Sequence, residues 1–112
     1  TDNPERFFVT EKIREKILQN YRQEIPYSVE VVVDSFKEDE DIIRMRAEIY
    51  VSRQSQKFII IGKGGAAIKK VGMAARKDLE VFFDKKIYLE LFVKVRENWR
   101  DRESDLRRFG YE

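Results

Sequence analysis

Apolar and polar residues alternate along three segments of the chain, which is the pattern of β-strands with one buried face. The first segment runs from Tyr27 to Asp34, the second from Ile43 to Val51 and the third from Ile87 to Val95. The charged run Lys37–Asp41 separates the first two segments. We interpret this run as a solvated hairpin loop, because consecutive carboxylates do not converge on a metal without a defined loop geometry. The alternation therefore predicts a three-stranded sheet.

Two further segments carry apolar residues at the three- and four-residue spacing of amphipathic helices. The first follows Thr10, a residue type that caps helices, and ends before Pro26. Its apolar stripe consists of Ile13, Ile17, Leu18, Tyr21 and Ile25. The second helix follows the glycines and runs from Ile68 to Phe83. Each stripe predicts one helix packed on the sheet.

The boundaries of these elements predict one folded domain. Residues 1–9 are expected to be a lead-in or linker from a missing N-terminal domain, since the chain opens with Thr1 rather than Met. Residues 10–112 are expected to form the domain and its tail. The charged tail after Trp99 predicts a short C-terminal helix with Leu106 and Phe109 on its buried side.

Charge is distributed unevenly although the net charge is only +2. The chain has 21 acidic residues, yet residues 49–77 contain none. This acid-free window holds seven basic residues and the glycine-rich segment Gly62–Gly65. A glycine turn can bring backbone N–H groups close to an anion, and basic side chains supply long-range attraction. The window therefore indicates a partner that carries phosphate groups.

The function of the glycines depends on the conformation of Gln54–Ile61, which the pattern leaves open. If this segment is a strand, Gly62–Ala67 fits the G-x-G-x-x-A form of the dinucleotide fingerprint, although the expected acidic residue after the next strand is missing. If it is a helix, Gly62–Gly65 is the GXXG loop of a KH domain, which clamps the backbone of single-stranded nucleic acid. A glycine-rich connection between helices without any ligand is the third interpretation.

The helical interpretation gives the element order α-β-β-α-α-β, which is the order of a type II KH domain. We therefore expect an α+β fold in which a three-stranded sheet packs against helices on one face. Several segments also resemble, as a set, the C-terminal KH domain of the Era family of bacterial GTPases. They are Pro4–Phe8, Ile13–Leu18, Gln23–Val29, Ser55–Lys57, Ile60–Gly65, Ile68–Gly72, Ala75–Arg76 and Leu91–Trp99, with the similarity ending near 109–111.

This resemblance implies an RNA-binding module that recognises the 3′ end of small-subunit (16S) ribosomal RNA during subunit assembly. In that family an N-terminal GTPase domain precedes the KH domain. Its GTPase motifs do not occur in this sequence, so the resemblance implies no enzyme activity for this chain. It implies binding to single-stranded ribosomal RNA and to the small ribosomal subunit, in the cytoplasm and without a cofactor.

The expected RNA-binding residues fall into three groups. Gly62, Gly64 and Gly65 should let the backbone approach the sugar-phosphate chain, with Lys63 at the loop apex. Basic side chains should line the groove, and Ile60 and Ile61 should form an apolar floor for unstacked bases. The basic set is Arg53, Lys57, Lys69, Lys70 and Arg76. Backbone groups of the second strand, near 51–53, are expected to read base edges, whereas Ile59 is expected to lie in the core.

Other functions stay open at this stage. The chain has no Cys and no His, which removes disulfides, thiolate sites and the most common general base. The longest apolar run, Phe58–Ile61, is too short to span a membrane, and peripheral association with a membrane stays open. The remaining alternatives are a protein-interaction module, using a small patch of Val32, Tyr50 and Phe92, and a fragment that binds a nucleotide cofactor. We expect a monomer without a metal site.

Overall fold

The computed structural model of the chain describes residues 4–21 and 29–96, which form three α-helices and a three-stranded sheet. The order of elements is helix, strand, strand, helix, helix, strand. A single 3₁₀ turn, Lys63–Gly65, connects the second and third helices. The elements are α1 (Pro4–Asn20), β1 (Glu30–Glu38), β2 (Ile42–Val51), α2 (Gln54–Ile61), α3 (Ala66–Phe83) and β3 (Lys86–Val95). This order confirms the predicted α+β fold and the type II KH topology.

Strand β2 lies in the middle of the sheet, with β1 on one side and β3 on the other. Strands β1 and β2 form an antiparallel hairpin, with a register shift between Val33 and Ser35. Strands β2 and β3 are parallel, so the chain must cross over between them. The crossover consists of α2, the glycine turn and α3, and it places these three elements beside β3.

The core lies between one face of the sheet and the helices α1 and α3. The alternating apolar residues of β1 and β2 point into it, as their pattern predicted. Helix α1 contributes the buried side chains of Val9, Ile13 and Ile17, and α3 contributes three buried side chains that are spaced one helical turn apart. The residues from α3 are Val71, Ala75 and Leu79. None of the described helices is both long and apolar enough to cross a membrane.

Helix α1 begins earlier than expected, and the assignment of residues 1–9 to a linker is therefore wrong from Pro4 onward. Thr10 lies inside the helix rather than at its N-cap. Proline is favoured at the first position of a helix, where its missing N–H costs nothing, and Glu5 suits the first turn. Val9 is fully buried, so this part of α1 belongs to the folded unit.

Aromatic side chains close the core where the start of α1 meets the end of α3. The Phe8 ring stacks on Phe82 with 3.9 Å between centroids, and Phe83 packs edge-on against both. Phe7, by contrast, is exposed. The predictions for Ile25, Pro26 and Tyr27, and for the tail with Trp99, fall outside the described residues.

Candidate nucleic-acid interface

The segment whose conformation the sequence left open is helical. Helix α2 spans Gln54–Ile61, and its first turn is capped from within. The side-chain oxygen of Gln56 accepts hydrogen bonds from the backbone N–H groups of Ser52 and Arg53, both at 3.0 Å. Arg53 is the N-cap residue, and Ser55 lies inside the helix. Because a dinucleotide fingerprint requires a strand here, the helix removes the structural basis of that alternative.

The glycine turn has a backbone that other residues rarely adopt. Gly62, Gly64 and Gly65 have positive φ angles of 78°, 61° and 79°. A Cβ atom added at Gly62 would lie 2.6 Å from the Cβ atom of Ala67, whereas one added at Gly64 or Gly65 would meet no atom within 4 Å. Gly62 is therefore required by the packing of the turn, and Gly64 and Gly65 leave an open surface above it.

Helix α3 begins directly after this turn, at Ala66. The N–H groups of Gly65 and Ala66 donate to the carbonyls of Gly62 and Lys63 within the turn, and the helix dipole makes this end of α3 electropositive. The first turn of α3 contains no acidic residue, and Lys63 is exposed next to it. The turn and the start of α3 thus form a surface suited to an anion such as phosphate.

Five of the predicted basic residues have no acidic partner in the described part of the chain. They are Arg53, Lys57, Lys63, Lys69 and Lys70. The sixth, Arg76, lies 4.0 Å from the carboxylate of Glu80. Lys69 and Arg76 lie on the side of α3 that faces β3, whereas Lys70 falls on the opposite side, because successive helical residues are rotated by about 100°.

The apolar residues around the turn differ from the prediction. Ile60 is fully buried in the core, so its assignment as a floor for bases is wrong. Its carbonyl accepts a 2.5 Å hydrogen bond from the Tyr21 hydroxyl, which ties the end of α2 to α1. Ile59 is 52% exposed and Phe58 is 64% exposed, so the expectation that Ile59 lies in the core is also wrong. Ile61 and Ile68 are half-buried.

A groove of about 250 Å³ runs between α3 and β3, next to the glycine turn. Its helical side is formed by residues that recur at a spacing of three or four, and its other side by Leu89 and Leu91. The helical residues are Ile68, Lys69, Gly72, Met73 and Arg76. No local sequence pattern predicts this groove, since it exists only because the crossover places α3 beside β3. Its apolar walls and basic rim suit a planar base attached to a phosphate chain.

Strand β3 offers backbone groups to this groove. The N–H of Arg96 bonds to the carbonyl of Val51 in β2 at 2.8 Å, whereas the N–H of Ile87 bonds to the Glu80 side chain of α3 at 3.1 Å. Backbone direction alternates along a strand of a parallel pair. The N–H and C=O groups of Leu89 and Leu91 therefore point away from β2, toward α3.

The expectation that backbone groups near 51–53 read base edges is wrong. Strand β2 is central, and the Val51 carbonyl already accepts a bond from β3. The N–H groups of Ser52 and Arg53 are likewise occupied, by Gln56. Among the described strands, β3 is the one with an open edge beside the glycine turn.

The outer face of the sheet has a different character. Two of its basic residues form ion pairs across strands: Arg46 with Asp34 at 3.0 Å and Lys94 with Glu48 at 2.9 Å. The Lys94 ammonium and the Tyr50 hydroxyl both bond to Glu48 and lower the pKa of its carboxyl group. The hydrogen bond between the Tyr50 hydroxyl and Glu48 raises the pKa of Tyr50.

The predicted apolar patch on this face is interrupted. Val32 and Phe92 both lie opposite Glu48 in the register, one on each side of it, so a carboxylate separates them. Arginine side chains cover the rings that remain: Arg96 lies 4.2 Å from the Tyr50 centroid and Arg46 lies 5.9 Å from that of Phe92. Within residues 4–21 and 29–96, no cluster of three carboxylates could hold a metal ion.

Comparison with solved structures shows close similarity over the whole chain. The chain is 39% identical to a substituted Era from Aquifex aeolicus bound to GDP.AlF4⁻, with a TM-score of 0.86. It has the same identity and TM-score with an Era crystallised with MgGDPNP and nucleotides 1506–1542 of 16S ribosomal RNA. The similarity covers 99% and 98% of this chain, but only 38% and 37% of the two Era chains. These findings confirm the resemblance to Era.

A family model described as a KH domain matches residues 24–100, which is more than half of the sequence. The match includes β1, β2, α2, the glycine turn, α3 and β3, and so contains the entire surface around the turn and the groove. The element order and the GXXG turn between two helices agree with this match. The chain belongs to the KH domain family.

Proposed function

We propose that this chain binds single-stranded RNA along the glycine turn and the groove between α3 and β3, and that its ligand is the 3′ end of 16S ribosomal RNA. One observation carries the proposal: a left-handed glycine turn, whose lysines have no acidic partner among the described residues, lies next to a groove lined by α3 and the edge strand β3. The similar Era crystallised with nucleotides 1506–1542 of 16S ribosomal RNA supports the choice of ligand.

The sugar-phosphate backbone of the RNA lies across the turn. Gly64 and Gly65 present backbone without side-chain atoms, so a phosphate can approach closely. The electropositive N-terminal end of α3 attracts the phosphate oxygens, and Lys63 adds a charge contact. Arg53, Lys57 and Lys69 extend this positive surface, and no acidic side chain of residues 4–21 and 29–96 pairs with them. Lys70 contributes only to the long-range field.

The bases following this phosphate contact enter the groove. Ile68 and the side chain of Leu91 provide apolar contact for an unstacked ring. The backbone N–H and C=O of Leu89 and Leu91 face the same space, so they can pair with donors and acceptors on a base edge. Arg76 borders the groove and can reach either a base or a phosphate. Ile61 lies at the junction of the turn and the groove.

We extend this proposal to a longer protein of which this chain is one part. The chain spans about two-fifths of the length of the Era proteins it matches. We place it as the RNA-binding part of a cytoplasmic GTPase that acts in assembly of the small ribosomal subunit. Nucleotide hydrolysis belongs to another part of that protein, and this chain acts by holding RNA rather than by catalysis.

The double variant Lys63→Asp/Gly64→Asp tests the proposal. Fluorescence anisotropy with labelled RNA of nucleotides 1506–1542 should show an affinity loss of about 100-fold or more, since three charge units change at the phosphate contact. Aspartate tolerates a positive φ angle, and the Cβ at Gly64 meets open space, so the melting temperature should change little.

The matched control is Lys77→Asp/Val81→Asp on the face of α3 opposite the groove. It changes the charge by the same three units, on exposed residues of the same helix. RNA affinity should fall by no more than about threefold, through the long-range field alone. Equal losses for the two double variants would refute a specific role of the turn, and wild-type affinity of the Lys63→Asp/Gly64→Asp variant would refute the proposal itself.

A further inference from the structure

Gly72 lies in the interior of α3, where the structure itself gives no reason for glycine. Its φ angle is not positive, so any residue can adopt its backbone conformation. A Cβ atom added there would lie 3.6 Å from Cδ1 of Leu91, which is ordinary van der Waals contact. Glycine in a helix interior lowers stability relative to alanine. Alanine would therefore fit at this position and would stabilise the helix.

Gly62 shows what a structurally required glycine looks like in the same chain. Its φ angle of 78° and the 2.6 Å approach of an added Cβ to Ala67 both exclude a side chain. Neither condition holds at Gly72. Nothing within residues 4–21 and 29–96 thus explains the absence of a side chain at Gly72.

The position of Gly72 identifies what the missing side chain leaves free. Ile68 and Arg76 lie one turn before and one turn after it on the same face of α3, and all three line the groove against β3. Gly72 is therefore at the centre of the helical wall. A methyl group there would point at Leu91 and narrow the groove at its middle, between the two strand residues whose backbone groups face it.

We propose that Gly72 is a specificity-determining residue, whose missing side chain admits one unstacked base of single-stranded RNA to the centre of the groove, against Leu91. This inference rests on the proposed function and assigns a role to a residue outside the GXXG turn. It predicts that stability and RNA affinity respond to substitution at Gly72 in opposite directions. A purely structural glycine would lose both together.

Gly72→Ala provides the first test. The melting temperature should rise by about 2–6 °C, because alanine restricts the unfolded chain and favours the helix. Affinity for RNA of nucleotides 1506–1542 should fall by about tenfold, within the range that loss of one stacked base produces. Gly72→Leu should reduce affinity by about 100-fold. If the larger leucine side chain disturbs the fold, the affinity of Gly72→Ala alone decides the test.

Ala74→Gly is the matched control, since it makes the reverse exchange two residues away on the opposite side of α3. It should lower the melting temperature by about 4–8 °C through loss of helix propensity. Its RNA affinity, measured well below that temperature, should equal that of the wild type. The pair of variants then separates helix stability from groove shape.

Abasic substitution in the RNA identifies the base that contacts Gly72. An abasic nucleotide keeps the sugar and phosphate but lacks the base. At one position of the RNA, abasic substitution should abolish the affinity difference between wild type and Gly72→Ala, and at other positions the difference should persist. A merely structural effect of Gly72→Ala would leave the difference unchanged at every position.

The outcomes separate this inference from the proposed function. If wild type binds the RNA and Gly72→Ala binds equally well, or if no abasic position removes the difference, Gly72 is not a specificity determinant, while RNA binding at the turn still stands. If wild type does not bind this RNA at all, the proposed function fails, and the role of Gly72 fails with it.

Discussion

The surroundings of the glycine turn and the outer face of the sheet both carry basic side chains, but these side chains differ in whether they form ion pairs. On the outer face, Arg44, Arg46 and Lys94 each pair with a carboxylate at 2.8–3.0 Å. Around the turn, Lys63 and Lys69 have no such partner among the described residues. The acid-free window is thus a property of the surface as well as of the sequence.

This difference shows that pairing, rather than the number of cations, distinguishes a binding surface from a structural one. A paired cation has its field largely cancelled at the distance of an approaching ligand. An unpaired cation retains its field and can release counterions when a phosphate binds. The outer face therefore stabilises neighbouring strands modestly, while the region of the turn remains available to a polyanion.

The strongest expected effect on the turn is that of Gly62→Ala. The left-handed backbone and the clash with Ala67 should together reduce the free energy of unfolding by about 2–4 kcal/mol. Gly64→Ala has only the backbone cost and should lose about 1 kcal/mol. Urea denaturation of both variants measures the difference. Equal losses would mean that close packing at Gly62 does not define the turn.

Removing equal charge from the two regions is the next test. Lys63→Ala/Lys69→Ala should weaken RNA binding by about tenfold and reduce the slope of log affinity against log salt by about 0.7 per lost phosphate contact. Arg44→Ala/Lys94→Ala removes two charges from the outer face and should leave the slope unchanged. Anisotropy titrations at several salt concentrations provide both quantities. A larger change from the outer-face pair would reverse the comparison.

Tyr21→Phe tests how α1 supports the turn. It leaves the Ile60 carbonyl without its hydroxyl partner and should reduce the free energy of unfolding by about 1–2 kcal/mol. RNA affinity should fall by about two- to fivefold, because the end of α2 just before Gly62 is held less firmly. If the variant is destabilised but its RNA affinity is unchanged, Tyr21 stabilises the fold without supporting the glycine turn.

The pH dependence at Tyr21 gives a second readout of the same contact. Burial raises the pKa of Tyr21 to about 12 from the usual 10.0. A raised pKa in the folded state means that its contribution to stability is complete below pH 10 and is lost as pH rises toward 12. Thermal melts in this range should show a steeper decline for wild type than for Tyr21→Phe.

Asp78→Asn should have the smallest effect. The Lys16 ammonium, 2.7 Å from the Asp78 carboxylate, lowers the pKa of Asp78, with a further contribution from Lys12. A lowered pKa contributes stability above the unfolded value of 3.8 that is lost as pH falls through the folded value. Because the Asp78 side chain is still partly exposed to solvent, the substitution should lower the melting temperature at pH 7 by at most about 3 °C, and by less at pH 3.

Local patterns were sufficient to predict that the three strands and α3 exist, although β1 runs to Glu38 and so includes two residues of the predicted hairpin loop. Alternation along β2 and the four-residue spacing from Val71 to Leu79 each determine which face is buried. The start of α1 was missed because Thr10 resembles an N-cap, although Pro4 and Glu5 carry an equally good signal for a first turn. Two competing local signals cannot be ranked without knowing that Val9 packs in the core.

Only the part of the candidate site that is contiguous in sequence could be predicted. The glycine turn and its lysines are contiguous in sequence, so their arrangement follows from the turn itself. The orientation of Ile60 depends on the position of α1, and the groove depends on the parallel placement of β3 beside β2. Such contacts between distant segments leave no periodic signal. The four-residue spacing of Ile68, Gly72 and Arg76 is visible in the sequence. That these residues form one wall of a groove follows only from the position of β3.

Mapping of backbone amide shifts by NMR during titration with RNA of nucleotides 1506–1542 tests the central claim most directly. RNA binding at the turn and groove predicts that the largest shifts occur at residues 62–69, at Gly72, Met73 and Arg76, and at Leu89 and Leu91. Amides of the outer face, such as those of Arg44 and Lys94, should barely change. Shifts confined to the outer face, with none at the turn, would contradict the account.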